Sequence, residues 1–230
     1  MTIAECLLAA LVAILCGLDR VAVGQVMISR PIVAAPLTGF VLGEPLIGLQ
    51  IGMLVELLWL GRLPVGASIP PDDTQASVGG TFLAVYVSRS LLCPEPVAIA
   101  FSLILALPLG KFGQLFDHMV RRANNVLGRR AERFLLAGEL NSVERSHLAG
   151  VGNFAVASLC TFTVIAVAGA LLSDALAPLF APYLEPTGSW LYLALPLIGA
   201  SMLVANINIS RSLTLFSASF ASALLILWLL

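Results

Sequence analysis

Three stretches in the C-terminal half carry no charge and are long enough to cross a bilayer as helix, a crossing that takes about 20 residues: Leu148 to Ser173, Pro186 to Ser210 and Ser212 to Leu230. The pattern predicts three spans, with Pro196 a kink point in the second. The N-terminal half reads differently. Its apolar runs cover 6–18, 31–43, 45–61, 76–88 and 96–110, and they are cut by Arg30-Pro31, Glu44-Pro45, Glu56, Arg62 and the polar stretch "PPDDTQ" at 70–75. Short apolar segments broken by Gly and Pro and carrying charge predict broken helices and re-entrant hairpins, because irregular backbone at membrane depth survives only inside protein or along a cavity.

Between the halves lies a third pattern. In 111–147, Phe112, Leu115, Phe116, Met119 and Val126 recur at helical spacing against Arg121, Arg122, Arg129 and Arg130, which predicts an amphipathic helix at the membrane surface. Seven of the twelve Lys and Arg residues fall between Lys111 and Arg145, so the positive-inside rule places this loop in the cytoplasm and, after three further crossings, the C-terminus outside. Anionic lipid is the plainest partner for such a face; a soluble protein docked on it is the alternative. His118 and His147 lie at its edges and are read as ordinary surface histidines. The expected organisation is a broken-helix membrane region over 1–110, a basic cytoplasmic segment over 111–147 and transmembrane helices over 148–230, all one unit.

Composition turns pattern into class. Hydrophobic residues make up 59% of the 230 and charged ones 11%, whereas soluble domains hold roughly 45–50% apolar residues, so the expected fold is an all-α integral membrane protein, a multi-span bundle. Cys6, Cys16, Cys93 and Cys160 are widely separated with no C-x-x-C pairing, and are read as small buried hydrophobes. Glu5 stands where a leader would carry Lys or Arg, so the first segment is expected to stay with the chain.

The candidate chemistry sits in the broken half. In "PLIGLQIGMLVELLWLG", Gly48, Gly52 and Glu56 are spaced i, i+4, i+8, so on a helix the carboxylate shares a face with two glycines that admit a neighbouring helix. An unpaired charge at membrane depth costs several kcal/mol by order of magnitude, which favours function over packing for Glu56. Arg30, just before Pro31, is biased out of helical geometry and is expected to pair with a buried carboxylate, with a place facing the headgroups as the alternative. Pro70-Pro71 is expected to end an extended segment, and Asp72-Asp73 to start the helix "DDTQASVGGTFLAVYVS". Capping needs one side chain. Asp72, Asp73, Thr74 and Gln75 together form a hydrogen-bonding cluster suited to a polyhydroxylated ligand. No phosphate-binding glycine loop, H-E-x-x-H, G-x-S-x-G or patterned Cys/His set is present, so no stand-alone active site, metal site or cofactor is expected.

Residues 30–72, "RPIVAAPLTGFVLGEPLIGLQIGMLVELLWLGRLPVGASIPPD", resemble the signature region of the IIC membrane subunits of mannose-type phosphotransferase systems (mannose, fructose, sorbose, N-acetylgalactosamine). Arg30, Pro31, Gly39, Leu42, Gly43, Gly48, Gly52, Glu56, Gly61, Gly66, Ala67, Pro71 and Asp72 fit that pattern without a gap, and "GASMLVANINISR" at 199–211 resembles the family's Gly-x-x-Met-x-x-Asn segment. The resemblance implies a non-catalytic permease subunit in a bacterial inner membrane. It would bind and translocate a hexose with a IID membrane partner, while cytoplasmic IIB, supplied by IIA, transfers the phosphoryl group. It also implies an oligomer, an elevator-like movement, no cofactor and no nucleic acid. Carried over by position, Glu56 and Asp72 are implied sugar contacts, with Asn206 a further one. Glu44 stands where aspartate is commoner, the polar residues usual before Arg-Pro give way to "VMIS" with Gln25 the nearest polar group, and Asp73 adds a second carboxylate. Two other readings stay open: a degenerate subunit that docks a regulatory phosphotransferase chain, and an ion-coupled transporter using Asp72-Asp73.

Overall fold

The computed structural model describes residues 1–59, 70–186, 190–206 and 212–229, with backbone only at 205, 206, 212, 227 and 229. Within these residues the chain is helical: α1 (Ile3–Val21), α2 (Pro31–Val41), α3 (Pro45–Trp59), α4 (Asp73–Ser90), α5 (Glu95–Leu109), α6 (Phe112–Leu136), α7 (Leu140–Leu184), α8 (Leu191–Asn206) and α9 (Ser212–Leu229). Three of the breaks in the N-terminal hydrophobic pattern, at Arg30-Pro31, Glu44-Pro45 and 70–75, are helix boundaries, whereas Glu56 lies inside α3 and Arg62 lies outside the described residues. Pro31 opens α2, Gly43 turns the chain at φ +77° before α3, and Asp72 caps α4. Thr2 and Glu5 close a reciprocal capping box on α1, the Thr2 hydroxyl accepting from Glu5 N at 3.2 Å and the Glu5 carboxylate accepting from Thr2 N at 2.7 Å.

At 1.5 Å per residue, the 11-residue α2 and 15-residue α3 are about 16 and 22 Å long, short of the roughly 30 Å of a hydrocarbon core. They pair as a hairpin whose backbones touch. A Cβ built on Gly48 would lie 2.4 Å from the Ala35 carbonyl oxygen, one on Gly52 2.6 Å from that of Pro31, and one on Gly39 2.5 Å from that of Glu44. The small-residue face expected over Gly48 and Gly52 therefore meets α2, and Glu56, one turn on, reaches the start of that helix.

Helix α4 is the axis of the bundle. It packs on α1, α2, α3, α5 and α7, and every residue from Thr74 to Val85 is buried although Thr74, Gln75, Ser77 and Thr81 are polar. The helix holds those hydroxyls itself: Ser77 donates to the Thr74 carbonyl and Thr81 to that of Ser77, both at 2.8 Å. Close approach does the rest, since a Cβ on Gly79 would lie 2.5 Å from Ile165 of α7. At the far end of α4, Arg89 binds Glu5 (2.8 Å), Glu44 (3.1 Å) and the Leu42 carbonyl (2.7 Å), so one guanidinium ties α1, the α2–α3 turn and α4 together.

The C-terminal half departs from the sequence pattern in two ways. The span read over 148–173 is part of a single 45-residue helix, about 67 Å long, that runs through Pro178 and Pro182. The segment 111–147 is not a helix lying alone on a surface. Helix α6 folds back on α7 through Gly138 (φ +78°), with Phe116, Val120, Asn124, Leu127, Ala131 and Phe134 half-buried at heptad-like spacing along the seam. Asn124 fixes the register, donating to the Gly150 carbonyl at 3.1 Å and accepting from Asn153 at 2.8 Å. The Arg residues stay on the outer faces as expected. The stretch through α5 and α6 and the whole of α7 are long and apolar enough to cross a membrane.

The glycine contacts set an expected outcome. Gly48→Ala should destabilise by about 1–3 kcal/mol, because the new methyl meets fixed backbone rather than a movable side chain. Gly128→Ala, on the open face of α6 with nothing within 4 Å, should be neutral or stabilising by up to roughly 1 kcal/mol. Thermal midpoints of the two variants in detergent, compared with the parent, check this difference in sign.

Candidate functional site

The two helix starts that the sequence marked out, Arg30-Pro31 and Asp72-Asp73, are brought together by the C-terminal end of α1. Asp19 and Arg20 are neighbours in its last turn, and each holds one of them. Asp19, 4% exposed, accepts from Val26 N at 2.8 Å and Ser29 N at 3.0 Å, so its carboxylate organises the loop leading into α2. Gly24 (φ +78°) lets the loop wrap the carboxylate; a Cβ there would sit 3.3 Å from Asp19 Oδ1. Arg20 turns the other way. Its Nη1 lies 2.7 Å from Asp72 Oδ1, and its Nη2 3.4 Å from Asp73 Oδ1 and 3.5 Å from the Pro71 carbonyl. A direct bridge joins the two starts: Thr74 Oγ1 donates to the Ser29 carbonyl at 2.8 Å.

Asp72 acts as the cap expected from its position, Oδ1 accepting from Gln75 N at 2.9 Å. Its backbone N–H donates to the Gly110 carbonyl at 3.3 Å, which docks the α4 start on the α5–α6 junction. Gly113 leaves room there, since a Cβ on it would lie 2.5 Å from Asp72 Cβ. Gln75, fully buried, donates Nε2 to the Ala13 carbonyl at 2.8 Å. Its Oε1 accepts no hydrogen bond from the described residues.

The second expected carboxylate, Glu56, pairs with Arg30. Arg30 Nε donates to Glu56 Oε1 at 2.9 Å, Nη2 also binds Oε1, and Glu56 Oε2 accepts from Ile32 N at 3.3 Å. Glu56 thus satisfies an amide in the first turn of α2, the work of a cap supplied from another helix. Both carboxylate clusters stand at helix N-termini, where the macrodipole favours negative charge. Asp117 of α6, bound to Arg121 at 2.6 Å, adds its field to Arg20 and Asp72.

The site residues read from the sequence are thus partly assembled. Glu56, Arg30, Pro31, Pro71, Asp72 and Asp73 converge, and Gly48 and Gly52 set the approach that aims Glu56. Gln25 (φ +54°) is exposed in the loop that Asp19 holds, its backbone N–H donating to the Val23 carbonyl at 2.9 Å. Gly66 lies outside the described residues, and of Asn206, near the end of α8, only the backbone is described. Among the described residues no three His, Cys, Asp or Glu side chains gather as metal ligands. Asp19 and Arg20 were not singled out by the sequence reading, which ended the first apolar run at residue 18. An adjacent acid–base pair at the end of an apolar run was the available signal.

The model of one protein family, described as the phosphotransferase-system sorbose-specific IIC component, matches residues 3–228. The mannose-specific EIIC component of Escherichia coli K12 is 27% identical over 150 residues, which are 65% of this chain and 53% of that one, so the chain spans about half the length of the curated relatives it matches. A solved structure described as a membrane protein aligns with 97% of this chain and 87% of its own at a TM-score of 0.73 and 22% identity. The mannose transporter ManYZ in complex with microcin E492 aligns with 97% of this chain and 87% of its own, at a TM-score of 0.64 and 24% identity. At those identities the likeness is one of fold, an all-α membrane bundle.

Burial separates Asp19 from the exposed carboxylates energetically. Asp19→Ala leaves two N–H groups in the turn into α2 without their acceptor, at about 1–3 kcal/mol each, and should lower stability far more than Glu139→Ala, whose exposed carboxylate accepts from the Ser142 hydroxyl at 3.0 Å. Thermal midpoints of the two variants check the order; equal losses would contradict it.

Proposed function

The chain belongs to the family of sorbose-specific IIC components of the phosphotransferase system, and on that premise we propose that it is the subunit that binds a hexose or related sugar and carries it across the membrane for phosphorylation by a partner. The observation that carries the reading is the meeting of two broken-helix starts at one polar site, with Glu56, Asp72 and Asp73 set against Arg20 and Arg30. Carboxylates accept hydrogen bonds from sugar hydroxyls, while the arginines keep the cluster from carrying a large net charge inside the membrane. Among the described residues of the site no nucleophile stands with its base, which fits a division of labour in which phosphoryl transfer belongs to cytoplasmic IIB, supplied by IIA, and a IID subunit completes the membrane path.

The basic hairpin supports an orientation. On α6 the exposed Phe112, Leu115 and Met119 give way to Arg121, Arg122, Arg129 and Arg130, a change expected at the boundary of hydrocarbon and headgroups. Asp72 packs at Gly113, eight residues before Arg121, so the site lies about 12 Å beneath that boundary, on the side from which the hairpin projects. With the arginines in the bacterial cytoplasm, the site stands near the face where a cytoplasmic phosphoryl donor acts.

Proteoliposomes holding the chain with its IID partner, supplied with IIA, IIB and phosphoenolpyruvate, should accumulate phosphorylated hexose. Glu56→Gln and Asp72→Asn should each reduce uptake roughly tenfold or more, the loss expected when a charged group that holds either the sugar or the geometry of the site is neutralised. Undiminished uptake by both variants would sink the reading. Uptake that persists without phosphoenolpyruvate and collapses with an uncoupler would replace it with ion coupling. The orientation has its own readout: Arg129→Cys should react with an impermeant maleimide in inside-out vesicles and not in right-side-out ones.

A further inference from the structure

The three carboxylates of the site are not equally free. Glu56 spends Oε1 on Arg30 and Oε2 on the Ile32 amide. Asp72 spends Oδ1 twice, on the Gln75 amide at 2.9 Å and on Arg20 Nη1 at 2.7 Å. Its other oxygen faces the first turn of α6, since a Cβ on Gly113 would lie 3.2 Å from Asp72 Oδ2 and 2.5 Å from Asp72 Cβ. Among the described residues Asp73 has one polar side-chain partner, Arg20 Nη2 at the loose distance of 3.4 Å, and its side chain keeps 23% of its surface against 15% for Asp72. Both oxygens of Asp73 therefore hold unspent acceptor capacity. Among the described residues a second acceptor in the first turn of α4 also has no donor: Oε1 of the fully buried Gln75, whose Nε2 is already given to the Ala13 carbonyl.

We propose that Asp73, rather than Asp72, is the carboxylate that receives a pair of ligand hydroxyls, and that Arg20 is the positioning residue that aims it. Asp72 then serves as the cap that starts α4 and docks it on α6. The inference rests on the sugar-translocation reading and divides the roles within that site. The chemistry asks for a donor-rich ligand with neighbouring hydroxyls, because a carboxylate accepts two O–H donors side by side. Arg20 makes the arrangement possible. Its guanidinium reaches both of the adjacent carboxylates and offsets their mutual repulsion. Asp73 also stands in the first turn of α4, where the helix dipole favours the charge.

The test uses the full chain in native membranes with its partner subunits, in two arms. In the first, the four native cysteines are replaced and Asp72→Cys and Asp73→Cys are compared for reaction with a small methanethiosulfonate reagent. Asp73→Cys should react faster and be protected by transported hexose, whereas Asp72→Cys, packed on α6, should react slowly. In the second, Asp73→Asn should raise the KM for uptake about tenfold with its thermal midpoint kept, while Asp72→Ala should lower the midpoint through the lost cap. Arg20→Gln should raise KM as Asp73→Asn does, the double variant should be no worse than either single one, and Arg20→Lys should recover part of the loss. Faster labelling at Asp72→Cys, or a parental KM for Asp73→Asn in an active complex, overturns the assignment. Should the parent complex take up no sugar at all, the transport reading fails, and the labelling order by itself decides which aspartate is the open one.

Discussion

A helix that begins inside a membrane protein has four amide groups with nowhere to go, and this bundle starts two such helices side by side. The contacts around α1 follow from that constraint. Asp72 takes one orphan amide of α4, Glu56 takes one of α2, and Asp19 takes the two amides of the loop that delivers the chain to Pro31. Three carboxylates in one place would repel each other and lose hydration. Arg20 and Arg30 offset the charge, and Thr74 ties the two starts to each other. Capping and charge balance thus use the same side chains, the ones on which the proposed ligand contacts draw, which is why the polar cluster cannot be separated from the fold.

The packing around the site follows from glycine. Gly39, Gly48 and Gly52 let α2 and α3 press backbone to backbone, and Gly17 seats Ser158 of α7 against α1. With little hydrophobic drive between helices in lipid, such close approach is a principal source of association. It also has a geometric result. A short hairpin held rigidly aims Glu56 at the start of its neighbour, and a buried α4 carries Asp72 and Asp73 at a fixed height against α6.

Much of this was legible in the chain, because the physics involved is local. Gly48, Gly52 and Glu56 lie on one helical face by spacing alone, Pro31 and Asp72 mark helix starts by their own backbone preferences, and the family pattern in 30–72 covers these residues without a gap. Asp19 and Arg20 escaped because their partners are near only in space: Arg20 meets Asp72 more than fifty positions away. The amphipathic helix over 111–147 was legible as a helix. Its partner was not, since the half-buried face through Val120, Asn124 and Leu127 looks the same whether it meets lipid or α7.

The sequence by itself determined the class, the helix starts, the broken character of the first half and the membership of a sugar-transport family. These depend on composition, periodicity and short-range preferences that any fold of this chain would obey. Tertiary structure alone decided how the charges are shared. Arg20 reaches both aspartates, Glu56 goes to Arg30 and the Ile32 amide, and Asp73 is left the most open carboxylate of the site. A carboxylate's role depends on which donors reach it first, and that is set by the distance between helices rather than by its place in the chain.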